Sequence, residues 1–220
     1  EETLAVFPEC ALGWALRGEW RLLQGNKEGA REDALQSLSL APNVLAYRLL
    51  YDLAMEEARF SEAVEFAEHL VALSSLYVKF GGDSLQDEHV ENLLCLARAL
   101  KGAGRLEEAL KVCEEAEERE FKPQVLLMKG EILEAMGRWE EAKEVLQEAL
   151  RQNPWNGSAR FALMRVLVAL GGEENLREAL QQGLLAQGKL FSIPKGFFKT
   201  MAKVYEGLGL AGKAQEARQM

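Results

Sequence analysis

Two stretches of this chain lie on one another at a fixed offset. Residues 100–116 read LKGAGRLEEALKVCEEA and residues 133–149 read LEAMGRWEEAKEVLQEA. Gly104 and Gly137 stand 33 apart, as do Ala109 and Ala142. The frame recurs near the start as Gly25, Ala30, Ala34, Ser37 and Pro42, and near the end as Tyr205, Gly209, Ala214 and Ala217. Pro8 lies 34 residues before Pro42, and Pro154 takes the matching place after residues 137–149. A repeat of this length restricts the chain to folds in which each unit buries its apolar face on its neighbours.

The repeated unit is helical. Apolar residues recur at i, i+3, i+4 and i+7, as in Leu93, Leu94, Leu96, Ala97 and Leu100, and again in Leu106, Ala109, Leu110, Cys113 and Ala116. Runs with period two are absent, and only five prolines interrupt 220 residues. The pattern predicts an all-α chain of short helices separated by Gly-containing turns. Each recurrent residue has a task. The glycine takes the left-handed conformation that turns the chain, and the small pair on the second helix lets helices approach. Proline ends the second helix.

Composition removes several function classes. No segment reaches the roughly 20 apolar residues of a membrane span, and the longest apolar stretch, 161–170, is broken by Arg165. A net charge of −9 repels nucleic-acid backbones and anionic lipid, so neither is an expected partner. Cys10, Cys95 and Cys113 form no CxxC pair, which argues against a disulfide framework or zinc site and points to a reducing, cytoplasmic compartment. His69 and His89 are the only histidines. No signal peptide is visible, and the start at Glu1-Glu2-Thr3 without Met reads as a fragment of something longer.

The spacing resembles the tetratricopeptide repeat (TPR), a 34-residue helix–turn–helix unit. The first unit, about 11–44, supplies Trp14, Gly18, Ala30, Ala34 and Pro42; the second, about 45–80, Tyr47, Leu50, Phe60, Ala63 and Ala67. The third, about 90–122, has Leu93, Ala97, Gly104, Ala109 and Ala116. The fourth, about 123–156, has Leu126, Gly130, Gly137, Trp139, Ala142, Ala149 and Pro154. The fifth, about 157–193, needs some three extra residues near Gly171-Gly172-Glu173-Glu174 before Leu176, Ala179, Gly183 and Ala186 fall into place. The sixth, about 195–220, offers Phe198, Tyr205, Gly209 and Ala214. Residues 1–10 read as the tail of a preceding unit. Arg17 and Lys129 stand where the family usually has Leu, and Ala58 replaces the turn glycine of the second unit.

The resemblance implies a single array over residues 1–220: an α-solenoid of about six units in a right-handed superhelix, with first helices lining a concave groove. By unit position the groove residues are Glu19, Arg48, Asp52, Leu94, Arg98, Lys101, Leu127, Glu131, Glu134, Phe161, Arg165, Lys199 and Lys203. Large apolar groups alternate there with charges of both signs, which suits an extended or helical peptide. Chaperone-binding members hold a C-terminal carboxylate with Lys and Asn; the corresponding places hold Ala15, Glu19 and Leu49, so that clamp is not expected.

Other motifs are weighed against repeat architecture. Gly207-Leu208-Gly209-Leu210-Ala211-Gly212 matches a dinucleotide fingerprint, but it follows helical residues and Gly209 is already the repeat turn. Asp83, Asp87, Glu88 and His89 crowd one loop; Ser84 with Asp87 reads there as a capping box rather than a metal site. Glu107-Glu108 and Glu140-Glu141 open second helices, where negative charge suits the helix dipole. His69 reads as solvated, and the Asn156-Gly157-Ser158 sequon carries little without a secretory signal. Residues 74–89 insert about a dozen residues between units, either as an extended helix plus covering loop or as a partner-contacting protrusion. Trp155 is either packed between units or an exposed anchor.

The expected function is a non-catalytic protein–protein interaction scaffold with no cofactor, no metal and no nucleophile–base pair. The alternatives are an accessory repeat domain of a larger enzyme, such as a bacterial glycosyltransferase, or the sensing arm of a transcriptional regulator.

Overall fold

The computed structural model describes residue 4 and residues 7–81, 86–119, 122–188, 193–194 and 196–220. Among these the chain forms twelve α-helices and no strand. The chain divides into two compact units, Glu1–Glu120 and Phe121–Met220.

The first unit holds α1 (Ala11–Leu23), α2 (Lys27–Leu40), α3 (Val44–Glu56), α4 (Phe60–Gly81), α5 (Gln86–Gly102) and α6 (Leu106–Arg119). Each helix packs on its successor, and α1 also touches α3. The second unit holds α7 (Pro123–Ala135), α8 (Trp139–Gln152), α9 (Gly157–Leu170), α10 (Glu173–Gln187), α11 (Phe197–Gly207) and α12 (Ala211–Gln219). There too each helix packs on the next, with α7 on α9 and α9 on α11. Such helical hairpins, each stacked only on its neighbours, are the all-α repeat fold expected from the sequence.

One turn is built five times. The N–H of Gly25, Ala58, Gly104, Gly137 and Gly209 bonds a carbonyl three residues back, and the next N–H reaches five residues back, as in Arg138 to Leu133 at 2.9 Å. The turn residue needs a positive φ, and four of the five are glycines at 73–81°. Ala58 occupies the same turn at φ 55°, where its Cβ is strained. Repeat context therefore overrides residue preference at this position.

The small residues of the second helices are sealed inside. Ala30, Ala34, Ala63, Ala67, Ala109, Ala116, Ala142 and Ala149 are fully buried. First helices approach them closely: a Cβ added at Gly18 would lie 3.0 Å from the Ala30 carbonyl oxygen and 2.8 Å from Leu49. Asn26, Asn43 and Asn156 start α2, α3 and α9 by accepting from the N–H three residues on.

The extra residues of the array become helix. Helix α10 starts directly after Gly172, and its buried residues begin only at Ala179, so Glu173-Glu174-Asn175 form an added first turn. Residues 74–81 of the insertion lengthen α4 to 22 residues, and residues 86–89 open α5. One side of this extension rests on α5 through Ser74, whose Oγ lies 2.7 Å from His89 Nδ1, while Leu76 and Tyr77 stay exposed. Asp83 and Ser84, and with them the acidic loop cluster and its capping box, lie outside the described residues.

Candidate interaction surface

In the first unit, Arg48 of α3, one of the residues expected to line a groove, joins Tyr51 and, on α5, Asn92 and Cys95 in one polar cluster. Arg48 donates to Asn92 Oδ1 and, at 2.9 Å, to Cys95 Sγ; the Tyr51 hydroxyl donates to the Cys95 carbonyl at 3.1 Å. Burial, with the adjacent Cys95, pushes the Tyr51 phenol well above its ordinary range. Asp52 reaches the surface, yet loss of surrounding water outweighs Arg48 and Arg98, and its carboxyl sits above its ordinary value. Arg98 is exposed and Lys101 half-buried. Leu94 lies beneath them at 4% exposure, a floor rather than a projecting anchor. Glu19 is half-buried on α1, and Ala15 and Leu49 are buried.

In the second unit, Glu134 accepts two hydrogen bonds from Arg165, at 2.8 and 2.6 Å. The guanidinium sits over the Phe161 ring, 4.9 Å from its centroid. Burial pulls this guanidinium down, but Glu134, with Glu131 behind it, holds it above its ordinary value. Phe161 is 6% exposed and packs at 5.3 Å on Phe197. Leu127 and Glu131 are half-buried, whereas Lys199 and Lys203 are exposed on α11.

The remaining motifs fall into place. Gly207 ends α11 and Gly209, at φ 73°, is the hairpin turn, so the GxGxxG match sits in a helix–turn–helix. Glu108 and Glu141 pair with Arg105 and Arg138. His69 is exposed and stacked on Tyr47 at 4.7 Å. Trp155 is 69% exposed. Among the described residues, no three His, Cys, Asp or Glu side chains are grouped to hold a metal ion, and no helix is long and apolar enough to cross a membrane. The polar cluster centred on Asn92 and Cys95 was not foreseen; two polar residues inside an apolar helical stripe were its available signal.

Residues 123–166 match a family model of the tetratricopeptide repeat. No curated protein sequence matches the chain. Among solved structures, the chain is similar to PilF of Pseudomonas aeruginosa, with 18% identity, a TM-score of 0.67, and 96% of this chain and 89% of that one covered. PilW, a widely conserved type IV pilus biogenesis factor, gives 17% identity and a TM-score of 0.73 over 94% and 90% of the two chains. YrrB, a TPR protein with an unusual peptide-binding site, gives 14% and 0.59 over 100% and 97%. Residues 123–166 thus match the tetratricopeptide repeat, as their spacing implied, and the chain shares the fold of these solved structures.

Proposed function

We propose that the chain is a non-catalytic scaffold that binds an extended peptide segment of another protein on the inner face of its first helices. The observation that carries this is the composition of the α3–α5 face. Arg48 and Arg98 both act on Asp52, and Lys101 follows Arg98 one turn on along α5, in a chain of net charge −9. A local excess of cations against the overall charge favours an acidic ligand and steers its approach. The firm floor of Leu94 and Tyr51 beneath the charges limits what must be ordered on binding. In the second unit, Leu127, Glu131, Glu134, Phe161, Arg165, Lys199 and Lys203 form the corresponding surface, more mixed in sign. YrrB, similar in fold, is described as having a peptide-binding site, which agrees with this class of ligand. Nucleic acid and lipid fit the net charge poorly, no chaperone-type carboxylate clamp is expected with Ala15, Glu19 and Leu49 in its places, and three free thiols favour the cytoplasm.

The test uses peptides selected from a displayed random library against the intact chain. Selected sequences should be enriched in Asp and Glu, and the double reversal Arg98→Glu, Lys101→Glu should weaken binding at least about tenfold with the melting temperature nearly unchanged. Equal binding by the double variant would move the site elsewhere.

A further inference from the structure

The outer face of α1 carries Leu12, Leu16, Trp20 and Leu23, spaced to lie on one side of the helix, and they are 56, 57, 53 and 87% exposed. The repeat itself shows how unusual this is. Nine residues before the hairpin turn, where Leu16 stands, later first helices have Leu49, Cys95, Met128 and Ala162, at 3, 5, 7 and 1% exposure, and in α11 a half-buried Thr200. Five residues before it, where Trp20 stands, they have Leu53, Ala99, Val166 and Val204, each at 0%. These two positions are the ones by which a first helix stacks on the hairpin ahead of it.

The α1–α2 hairpin shows what covers them. Leu49 and Leu53 of α3 share one apolar cluster with Ala15, Ala30 and Ala34, and Leu49 lies over Gly18. Large side chains on the incoming helix meet small ones on the receiving hairpin. Leu16 and Trp20 are the large half of the same joint. Leu4 already lies against Gly13, at the first turn of this face.

A second copy stacking head to tail is not the fitting occupant. At the places of Ala15, Leu22 and Ala34, the final hairpin carries Lys199, Glu206 and Arg218, all exposed, and stacking would press these charges onto Leu16 and Trp20. The final hairpin is charged at these places, whereas the outer face of α1 is apolar and open.

We infer that the open face of α1 is a stacking surface for a further tetratricopeptide-type hairpin from outside these 220 residues, with small residues where Ala15, Gly18, Ala30 and Ala34 stand in α1–α2. The interface continues the one already formed between α1–α2 and α3.

The test supplies such a hairpin. A copy of residues 11–43 is inserted between Cys10 and Ala11, so that its Asn43 runs into Ala11 as the native Asn43 runs into Val44. The insertion should raise the melting temperature by about 5 °C or more. Leu16→Asp with Trp20→Asp, placed in the α1 that receives the copy, should erase that gain. The same pair in the parent chain should shift its melting by no more than about 1 °C, because both residues are exposed there. No gain, or an equal gain with and without the aspartates, overturns the inference. Sedimentation of the parent provides an independent check: a monomer is expected, and a dimer abolished by the two aspartates would assign the face to a second copy instead.

Discussion

The two units join consecutive first helices in opposite ways. In the first, α3 and α5 are linked through groups withdrawn from water: Asn92, at 0% exposure, accepts from Arg48 and donates to the Leu70 carbonyl, and the Tyr51 hydroxyl bonds Cys95. In the second, α7 and α9 are linked by the Glu134–Arg165 pair, which keeps 18 and 34% of its side chains exposed. All the buried polar side chains found among the described residues, Asp33, Ser37, Ser74, His89 and Asn92, belong to the first unit. That unit also holds the longest helix, α4. Where an insertion breaks the regular stack, directional hydrogen bonds fix the register that small apolar residues fix elsewhere.

Substitution at the two joints should separate them most strongly. Asn92→Ala removes both bonds of a fully buried amide and should cost about 2 kcal/mol, because the interior Leu70 carbonyl loses a partner no water replaces and the half-buried Arg48 loses an acceptor. Glu134→Gln acts on a half-exposed pair and should cost no more than about 1 kcal/mol, less in high salt. Denaturant melts at two salt concentrations read both effects. Equal costs would mean that the buried cluster contributes nothing special and that the contrast between units is one of appearance only.

A smaller effect, confined to one unit, concerns His89. The Ser74 hydroxyl hydrogen is spent on the Val71 carbonyl at 3.1 Å, so the imidazole donates through Nδ1 and leaves Nε2 buried without a partner. A proton on Nε2 would add a charge with no acceptor. Burial, and next Arg119, therefore lower the pKa against the opposing pull of Glu115. The unfolded chain binds this proton below about pH 6.5, whereas the folded chain resists it. The contribution of His89 is present above that pH and is lost as pH falls from there toward the folded value. Between pH 7 and 5 the parent should lose more stability than His89→Asn, as followed by thermal melts. Parallel pH curves would show that the α4–α5 contact is insensitive to this proton.

How much of this was legible depended on whether a residue's task is local or long-range. Turn glycines and paired alanines announce themselves because each acts within one hairpin, at a fixed distance from the other. The same logic reads an excess near Gly171 and an insertion at 74–89, where α10 begins directly after Gly172 and α4 runs to 22 residues. Asn92 and His89 gave no such sign, since their partners Arg48, Leu70 and Ser74 lie 15 to 44 residues away across an insertion that breaks the period. Position within the unit marked Leu94 and Phe161 as groove residues, but it carries no depth: both sit below the surface formed by their charged neighbours. The apolar stripe on α1 was hidden for a related reason, because a helix stripe reads as core whether or not anything covers it.

Ala58 offers the finest test of how far one repeat can stand in for another. Its turn has the same pair of hydrogen bonds as the glycine turns, to Met55 at 3.2 Å and to Ala54 at 2.8 Å, and a φ 18° or more below theirs. The two hydrogen bonds and the buried flanks of α3 and α4 hold the alanine in a conformation it would otherwise leave. Ala58→Gly removes the Cβ strain, while the more flexible unfolded chain takes back part of the gain. The balance should favour the variant by about 0.5 kcal/mol, since a left-handed alanine costs about 1–2 kcal/mol. The mirror change in the second unit, Gly137→Ala, should destabilise by about 1 kcal/mol, with the added Cβ meeting nothing nearer than Trp139 at 4.0 Å. If both changes destabilise, Ala58 is held by something other than the shared turn, and the two hairpins are not variants of one design.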